Sequence, residues 1–264
     1  MVDPQRQDQI AARLAEIEVE YHVTVPYACE SGSRAWGFPS ADSDYDVRFV
    51  YVHPRDWYLS VDLERHDDTI DPTPEDDIDL HGWDLRKALG LFRDANPTLL
   101  EWLRSPIVYR ADETVLVRWR DLIPDYYTSG TLAPAYRGMA RSIAEQNLSD
   151  EPIQQKAYLY VLRALLAVRW IEQDRGPVPV EFDHLFDAAD IRTDLRKAID
   201  GLLDRKRTGT EWDAGPRLPT IHDFIEVELG RQADLQFPKS RDRPGVEPLN
   251  ILFRAVLDSY ASRP

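Results

Sequence analysis

Residues 28–52, ACESGSRAWGFPSADSDYDVRFVYV, decide how the front of this chain is read. The stretch leaves one strand-like run, turns at Gly32-Ser33, and resumes as a second strand-like run at Tyr45. Gly32 lets the backbone turn sharply and approach a ligand, while Ser33 offers a hydroxyl and an N–H to a phosphate oxygen. Asp44 and Asp46 stand two residues apart, and alternation along a strand puts both on one side. Carboxylates that close repel unless a proton or cation lies between them. A hard divalent ion such as Mg²⁺, which takes oxygen ligands, resolves the conflict. Acidic pairs on exposed strand faces are common, however, and this pair alone reads as a solvated face.

The surrounding sequence changes that reading. Ser33 precedes Asp44 by eleven residues, enough for a short helical turn that returns to an adjacent strand. Asp79 is a single acid between Ile78 and Leu80 in the short strand "DIDLH", and an acid in a half-buried strand needs a partner. Asp77 lacks those apolar flanks, and Asp84 reads as the cap of the helix that follows. Glu30 reads as a strand-end charge beside the turn, with a supporting role in the site as the alternative. Trp36 and Phe38 read as packing, and Asp42 as solvated. Arg34 reads as a phosphate ligand or as a partner of the nearby acids.

Working outward, residues 5–21 form an amphipathic helix with Ile10, Leu14, Ile17 and Tyr21 at helical spacing. "HVTVPYACE" and "YDVRFVYV" are strands, "DDTIDPTPEDD" a loop, "LRKALGLFRD" and "NPTLLEW" helices, and "SPIVY" a further strand. Beyond about residue 112 the segments are helical. The expected class is therefore α+β, with a small mixed sheet flanked by helices and then an all-helical part. The expected division is 1–125 for the mixed domain and 126–264 for the helical one.

A Gly-Ser turn, about ten residues, D-x-D, and then a distant single Asp together resemble the signature of the DNA polymerase β nucleotidyltransferase superfamily. "ESGSRAWGF", "SDYDVRFVYV", "DIDLHGWDLRKAL", "NPTLLEWLRSPIVY" and "KAYLYVLRALLAVRWIE" are most similar to its RNA-repair-pathway branch, over much of residues 27–175. The resemblance implies that Gly32 and Ser33 hold the nucleotide phosphates. It implies that Asp44 and Asp46 bind metal, with Asp79 as the third catalytic and metal-binding carboxylate. It further implies two Mg²⁺ or Mn²⁺ ions per site, about 3.5–4 Å apart, and a nucleoside triphosphate such as ATP as substrate. An RNA end is the implied acceptor. A small hydroxylated molecule, a protein hydroxyl, or a non-catalytic nucleotide-binding role are the alternatives.

Charge bears on the acceptor. The net charge is −15, which argues against grip on nucleic acid through a broadly basic surface. Residues 41–80 alone contribute −10. By contrast, Pro152 to Ile171 carries Lys156, Arg163 and Arg169 and no acid. Lys156, Tyr160 and Arg163 fall at i, i+4 and i+7 on one helix face and are the candidates for holding the triphosphate; Arg169 points elsewhere and reads as structural. Long cationic side chains reaching out from an apolar core are the alternative account of that face.

At 264 residues the chain can build one large core or two modest ones. One cysteine, Cys29, excludes an internal disulfide and a multi-thiolate zinc site. No apolar run reaches the roughly 18 residues that span a membrane, and the N-terminus lacks signal-peptide zones. The expected location is the cytoplasm.

Overall fold

A computed structural model describes residues 3–74, 77–208, 214–238 and 245–260; Glu75 and Asp76, in the expected loop, lie outside the described residues. Helix α1, Pro4–Tyr21, begins where Asp3 accepts a hydrogen bond from the Gln5 N–H at 3.0 Å and Pro4 takes the first helical position. Then follow strand β1, Thr24–Glu30, the single helical turn α2, Gly32–Ala35, and strand β2, Tyr45–Val52. Strands β3, Thr69–Ile70, and β4, Ile78–Asp84, lead to helices α3, Leu85–Arg93, and α4, Pro97–Leu103. Strand β5, Val108–Ala111, and helices α5, Glu113–Asp121, and α6, Ile123–Tyr126, complete this part. Next come α7, Ser129–Asn147, β6, Ile153–Gln154, α8, Gln155–Glu172, α9, Phe182–Ala188, and α10, Thr193–Thr208. The chain ends with β7, Ala214–Gly215, α11, Pro219–Ala233, and α12, Glu247–Tyr260.

The class is α+β, as the order of elements predicts. The chain forms two compact units. One comprises Met1–Ala35, Asp44–Tyr126 and Asp242–Pro264, and the other Trp36–Ser43 and Tyr127–Arg241.

In the first unit five strands form a mixed sheet in the order β3-β4-β2-β1-β5. β2 and β4 run parallel, and the remaining pairs are antiparallel. The expected five-residue strand "DIDLH" is longer than predicted, because each residue from Ile78 to Asp84 pairs with one from Tyr45 to Tyr51. Thr69 and Ile70, predicted as loop, pair with Trp83 and Gly82. A two-residue strand is too short to show a period, and the burial of Ile70 is what holds it there. Pro26 is tolerated inside β1 because the ladder is irregular between Thr24 and Tyr27.

One face of the sheet packs Val47, Phe49, Tyr51 and Leu80 against Ile10, Leu14 and Ile17 of α1. The register opposes Phe49 to Gly82, and a Cβ at Gly82 would lie 2.2 Å from the Phe49 ring. On the other face α3 and α4 cover β1, β2 and β4, with Trp83 stacked on Trp102 at 3.9 Å. α12 packs on α3 and α5 of the same unit.

In the second unit α8 is the central helix, against α7, α9 and α11. Thirteen of its residues are buried. Burial on nearly all sides accounts for the lack of acids from Gln155 to Ile171, since an unpaired carboxylate there would lose its hydration.

Candidate active site

The parallel pairing of β2 with β4 sets Asp46 directly beside Asp79, although 32 residues separate them in sequence. Both carboxylates are about one-third exposed and so remain open to solvent. Asp44 stands just before β2 and is exposed. Its backbone carbonyl accepts a hydrogen bond from Arg34 Nε at 3.0 Å, and the Arg34 guanidinium lies 3.8 Å from the centre of the Tyr45 ring. Arg34 therefore ties the turn to the start of the D-x-D strand.

The turn lies against the same carboxylate. Gly32 has φ +58°, and a Cβ there would meet Asp46 Oδ2 at 2.0 Å. The Ser31 N–H donates to the Asp46 carbonyl at 2.8 Å. Gly32 is thus required twice, for its backbone conformation and for the space its missing side chain leaves. Ser33 is buried in the turn.

Arg48, which the sequence reading did not place in the site, and Glu30, which it read as a strand-end charge with a supporting role as the alternative, complete the arrangement. Arg48 lies two positions beyond Asp46 and so faces the same way. Its Nη2 donates to Asp46 Oδ1 at 3.0 Å and to Asp79 Oδ2 at 2.7 Å. Its Nη1 donates to the Val47 carbonyl at 3.2 Å and the Asp79 carbonyl at 3.1 Å. Glu30 is fully buried; its Oε1 accepts the Asp46 N–H at 2.8 Å and its Oε2 accepts the Tyr109 hydroxyl. The Glu30 side chain thus holds the backbone of Asp46. Burial pushes the Glu30 carboxyl up to about 7, against the pull of Tyr109 and the Asp46 N–H. Burial also raises the Asp46 carboxyl; Arg48 opposes the rise, and Asp79 and Asp44 add to it. The alternation Asp44, Asp46, Arg48 was visible in the sequence. The convergence of Arg48 with Asp79 was not, because it depends on the parallel register.

Among the described residues, no group of three or more His, Cys, Asp or Glu is gathered closely enough to hold a metal ion. The structure brings Asp46 and Asp79 together and leaves Asp44 at the exposed strand end. The pair nevertheless fits a divalent cation in its donor chemistry. Oxygens of both carboxylates already converge on one positively charged nitrogen within 3.0 Å, and hard cations take such oxygens. Asp77 pairs instead with Arg6 at 3.0 Å, and Asp84 caps α3 by accepting from the Arg86 N–H at 2.8 Å. His81 pairs with Asp71 at 3.1 Å.

The helix-face candidates lie in the second unit. Lys156 is exposed and Tyr160 half-buried, with the Tyr160 ring edge-on to Trp36 at 5.2 Å. Arg163 is buried: its Nε and Nη2 donate to the Val180 carbonyl at 3.1 and 3.0 Å, and its guanidinium lies 4.5 Å from the Trp36 ring centre. Trp36 and Phe38 are packing residues, with Phe38 edge-on to Phe182 at 5.6 Å. Arg169 is structural, forking onto Glu228 with both bonds at 2.8 Å.

Residues 7–255 match the RNA repair pathway DNA polymerase beta family, RlaP. The chain belongs to this family. Membership places it among polymerase-β-like nucleotidyltransferases. It is similar to the uncharacterized protein YcgL of Bacillus subtilis (strain 168), with 43% identity over 223 residues, 84% of this chain and 85% of that protein. A nucleotidyltransferase-like protein from Exiguobacterium sibiricum 255-15 is a solved structure of similar span. It covers 93% of this chain and 89% of its own, at 12% identity and a TM-score of 0.32, values too low to add to the assignment. Among the described residues, no helix is long and apolar enough to cross a membrane.

Proposed function

We propose that this member of the family transfers a nucleoside monophosphate from a nucleoside triphosphate such as ATP to an acceptor hydroxyl, releasing pyrophosphate. The observation that carries the reading is the pairing of Asp46 with Asp79 beneath the Gly32-Ser33 turn. Close to that pair lie a third acid, the exposed Asp44, and the Gly32-Ser33 turn, which supports the reading. Asp44, Asp46 and Asp79 are the residues that would hold Mg²⁺ or Mn²⁺. Two such ions would neutralise the triphosphate and polarise the acceptor oxygen.

The protein's own share is position and charge. Gly32 and Ser33 offer backbone N–H groups and a hydroxyl to phosphate oxygens. Arg34 fixes the turn against the D-x-D strand. Glu30 fixes the Asp46 backbone, so the carboxylate does not swing as charge develops beside it. Residues 1–125 are the proposed catalytic part. Lys156 and Tyr160 are the proposed phosphate-contact candidates of the second unit, whereas Arg163 is spent on the Val180 carbonyl and the Trp36 ring. The family description points to an RNA end as acceptor, and the −15 charge then requires a local rather than a general basic surface.

The test is incubation with each labelled nucleoside triphosphate and Mg²⁺ or Mn²⁺, offering RNA, protein and small-molecule extracts separately. Label should appear in one acceptor class with stoichiometric pyrophosphate. Asp46→Asn and Asp79→Asn should each lose transfer while keeping the wild-type circular dichroism spectrum. A folded Asp46→Asn protein with full activity would falsify the assignment. Nucleotide binding without pyrophosphate release would establish a non-catalytic binding module instead.

A further inference from the structure

The space between Asp46 and Asp79 already holds a cation, and the cation belongs to the protein. One nitrogen, Arg48 Nη2, is shared by Asp46 Oδ1 at 3.0 Å and Asp79 Oδ2 at 2.7 Å. A divalent ion bridging the same two oxygens would need that same position, since both occupants are recruited by the same pair of negative charges. The arrangement is built. Nη1 anchors the guanidinium on the Val47 and Asp79 carbonyls, and the side chain is only 18% exposed. An arginine keeps its charge at every working pH, so it does not leave by losing a proton. It leaves only if something else takes the carboxylates and something anionic takes the guanidinium.

We propose that Arg48 is the resident counter-cation of the Asp46–Asp79 pair, and that a divalent ion entering between these carboxylates displaces it. The inference rests on the function proposed above, and it adds a dependence that function does not require. Free metal has to compete with Arg48 and binds weakly. Metal that arrives with a triphosphate brings its own anion, which receives the displaced guanidinium. Metal and nucleotide therefore bind with positive coupling, and Arg48 is the source of that coupling. The carboxylates remain together without metal because Arg48 compensates their repulsion.

The experiment is a Mn²⁺ titration of the full chain, followed by electron paramagnetic resonance and calorimetry. It is run alone and with a nucleoside α,β-imido-triphosphate, which cannot transfer its nucleotide. Wild type should bind free Mn²⁺ weakly and gain at least about tenfold in affinity with the analogue, a coupling of ordinary allosteric size. Arg48→Gln should bind free Mn²⁺ about tenfold more tightly than wild type and lose most of the coupling. Metal should also raise its melting temperature more than that of wild type, because bound metal then replaces the missing counter-charge. Equal or weaker free-metal affinity in Arg48→Gln overturns the inference.

If Arg48→Gln fails to fold with or without metal, Arg48→Lys carries the test. It keeps the charge but cannot hold both carboxylates and both carbonyls, and it should bind free Mn²⁺ a few times more tightly than wild type. Unchanged affinity there overturns the inference equally. Asp79→Asn should lose Mn²⁺ binding and leave the free-ion resonance undiminished, which locates the ion. The two readings fail separately. A wild type that transfers nucleotide while Arg48→Gln shows no gain sinks only the role of Arg48, and a wild type that neither transfers nor binds Mn²⁺-nucleotide sinks both.

Discussion

A hydrogen atom is all the side chain that position 32 can carry. Gly32→Ala would set a methyl 2.0 Å from Asp46 Oδ2, on a backbone at φ +58°. The conformation itself costs about 1–2 kcal/mol for a residue with a Cβ. The Asp46 carboxylate moves as well, and a displacement near 1 Å at a reacting centre costs roughly 100-fold. The expected result is a small loss in melting temperature with about a 100-fold loss of nucleotide transfer. A variant whose activity falls only in proportion to its stability would show that the turn does not set the carboxylate. Glu228 makes a different prediction. It is buried, which opposes its charge, yet hydrogen bonds from Arg169, Arg231 and Gln232 hold its carboxyl down at about 2 against an ordinary value of 4.5. A depressed carboxyl stabilises the fold above its unfolded value, and that stability is lost as pH falls from about 4.5 to 2. The contribution is up to about 3 kcal/mol. Denaturant titrations at several pH values should show this acid limb flattened in Glu228→Gln, which should also be less stable at pH 7.

At the scale of elements, the register of β2 with β4 does most to build the site. Gly82 is part of it, because the Phe49 ring lies where a Gly82 Cβ would be, at 2.2 Å. Gly82→Ala should separate these strands locally at a cost of about 1–3 kcal/mol, the usual range for overpacking. Thermal unfolding should show the loss, and Phe49→Leu in the same chain should recover part of it; no recovery would place the strain elsewhere. The same register explains what was legible beforehand. Alternation along one strand is a local property, so Asp44, Asp46 and the long strands could be read from spacing, as could the Gly-Ser turn. The cap at Asp84 was equally local in origin. Arg48 between two carboxylates, and Glu30 beneath the Asp46 backbone, are properties of pairs of strands. Nothing in the composition of either strand announces its partner's offset. The acid-free run of α8 was visible too, but burial explains most of it, with Arg163 committed to Val180 and Trp36.

For the whole molecule, the first unit is discontinuous in sequence. α12 packs on α3 and α5, with Phe253 edge-on to Tyr58 at 5.0 Å, Arg55 paired with Asp258, and the Tyr260 hydroxyl on Asp112 at 2.7 Å. A chain shortened to residues 1–238 should therefore lose stability in the sheet-bearing unit, although the deletion removes no strand and none of the proposed catalytic carboxylates. Hydrogen exchange should show α3 and α5 opening first, while α7, α8 and α11 keep their protection. Protection retained across α3 and α5 would contradict this. Continuity also has a temporal side. A ribosome delivers this chain at about 5–20 residues per second, and all of Tyr127–Arg241 emerges before the closing helix does. The sheet with its turn and acids must wait, incompletely covered, for its last piece. A messenger cut short between the codons for Pro238 and Glu247 would thus yield a protein bearing every proposed catalytic carboxylate and lacking the helix that seals the unit holding them.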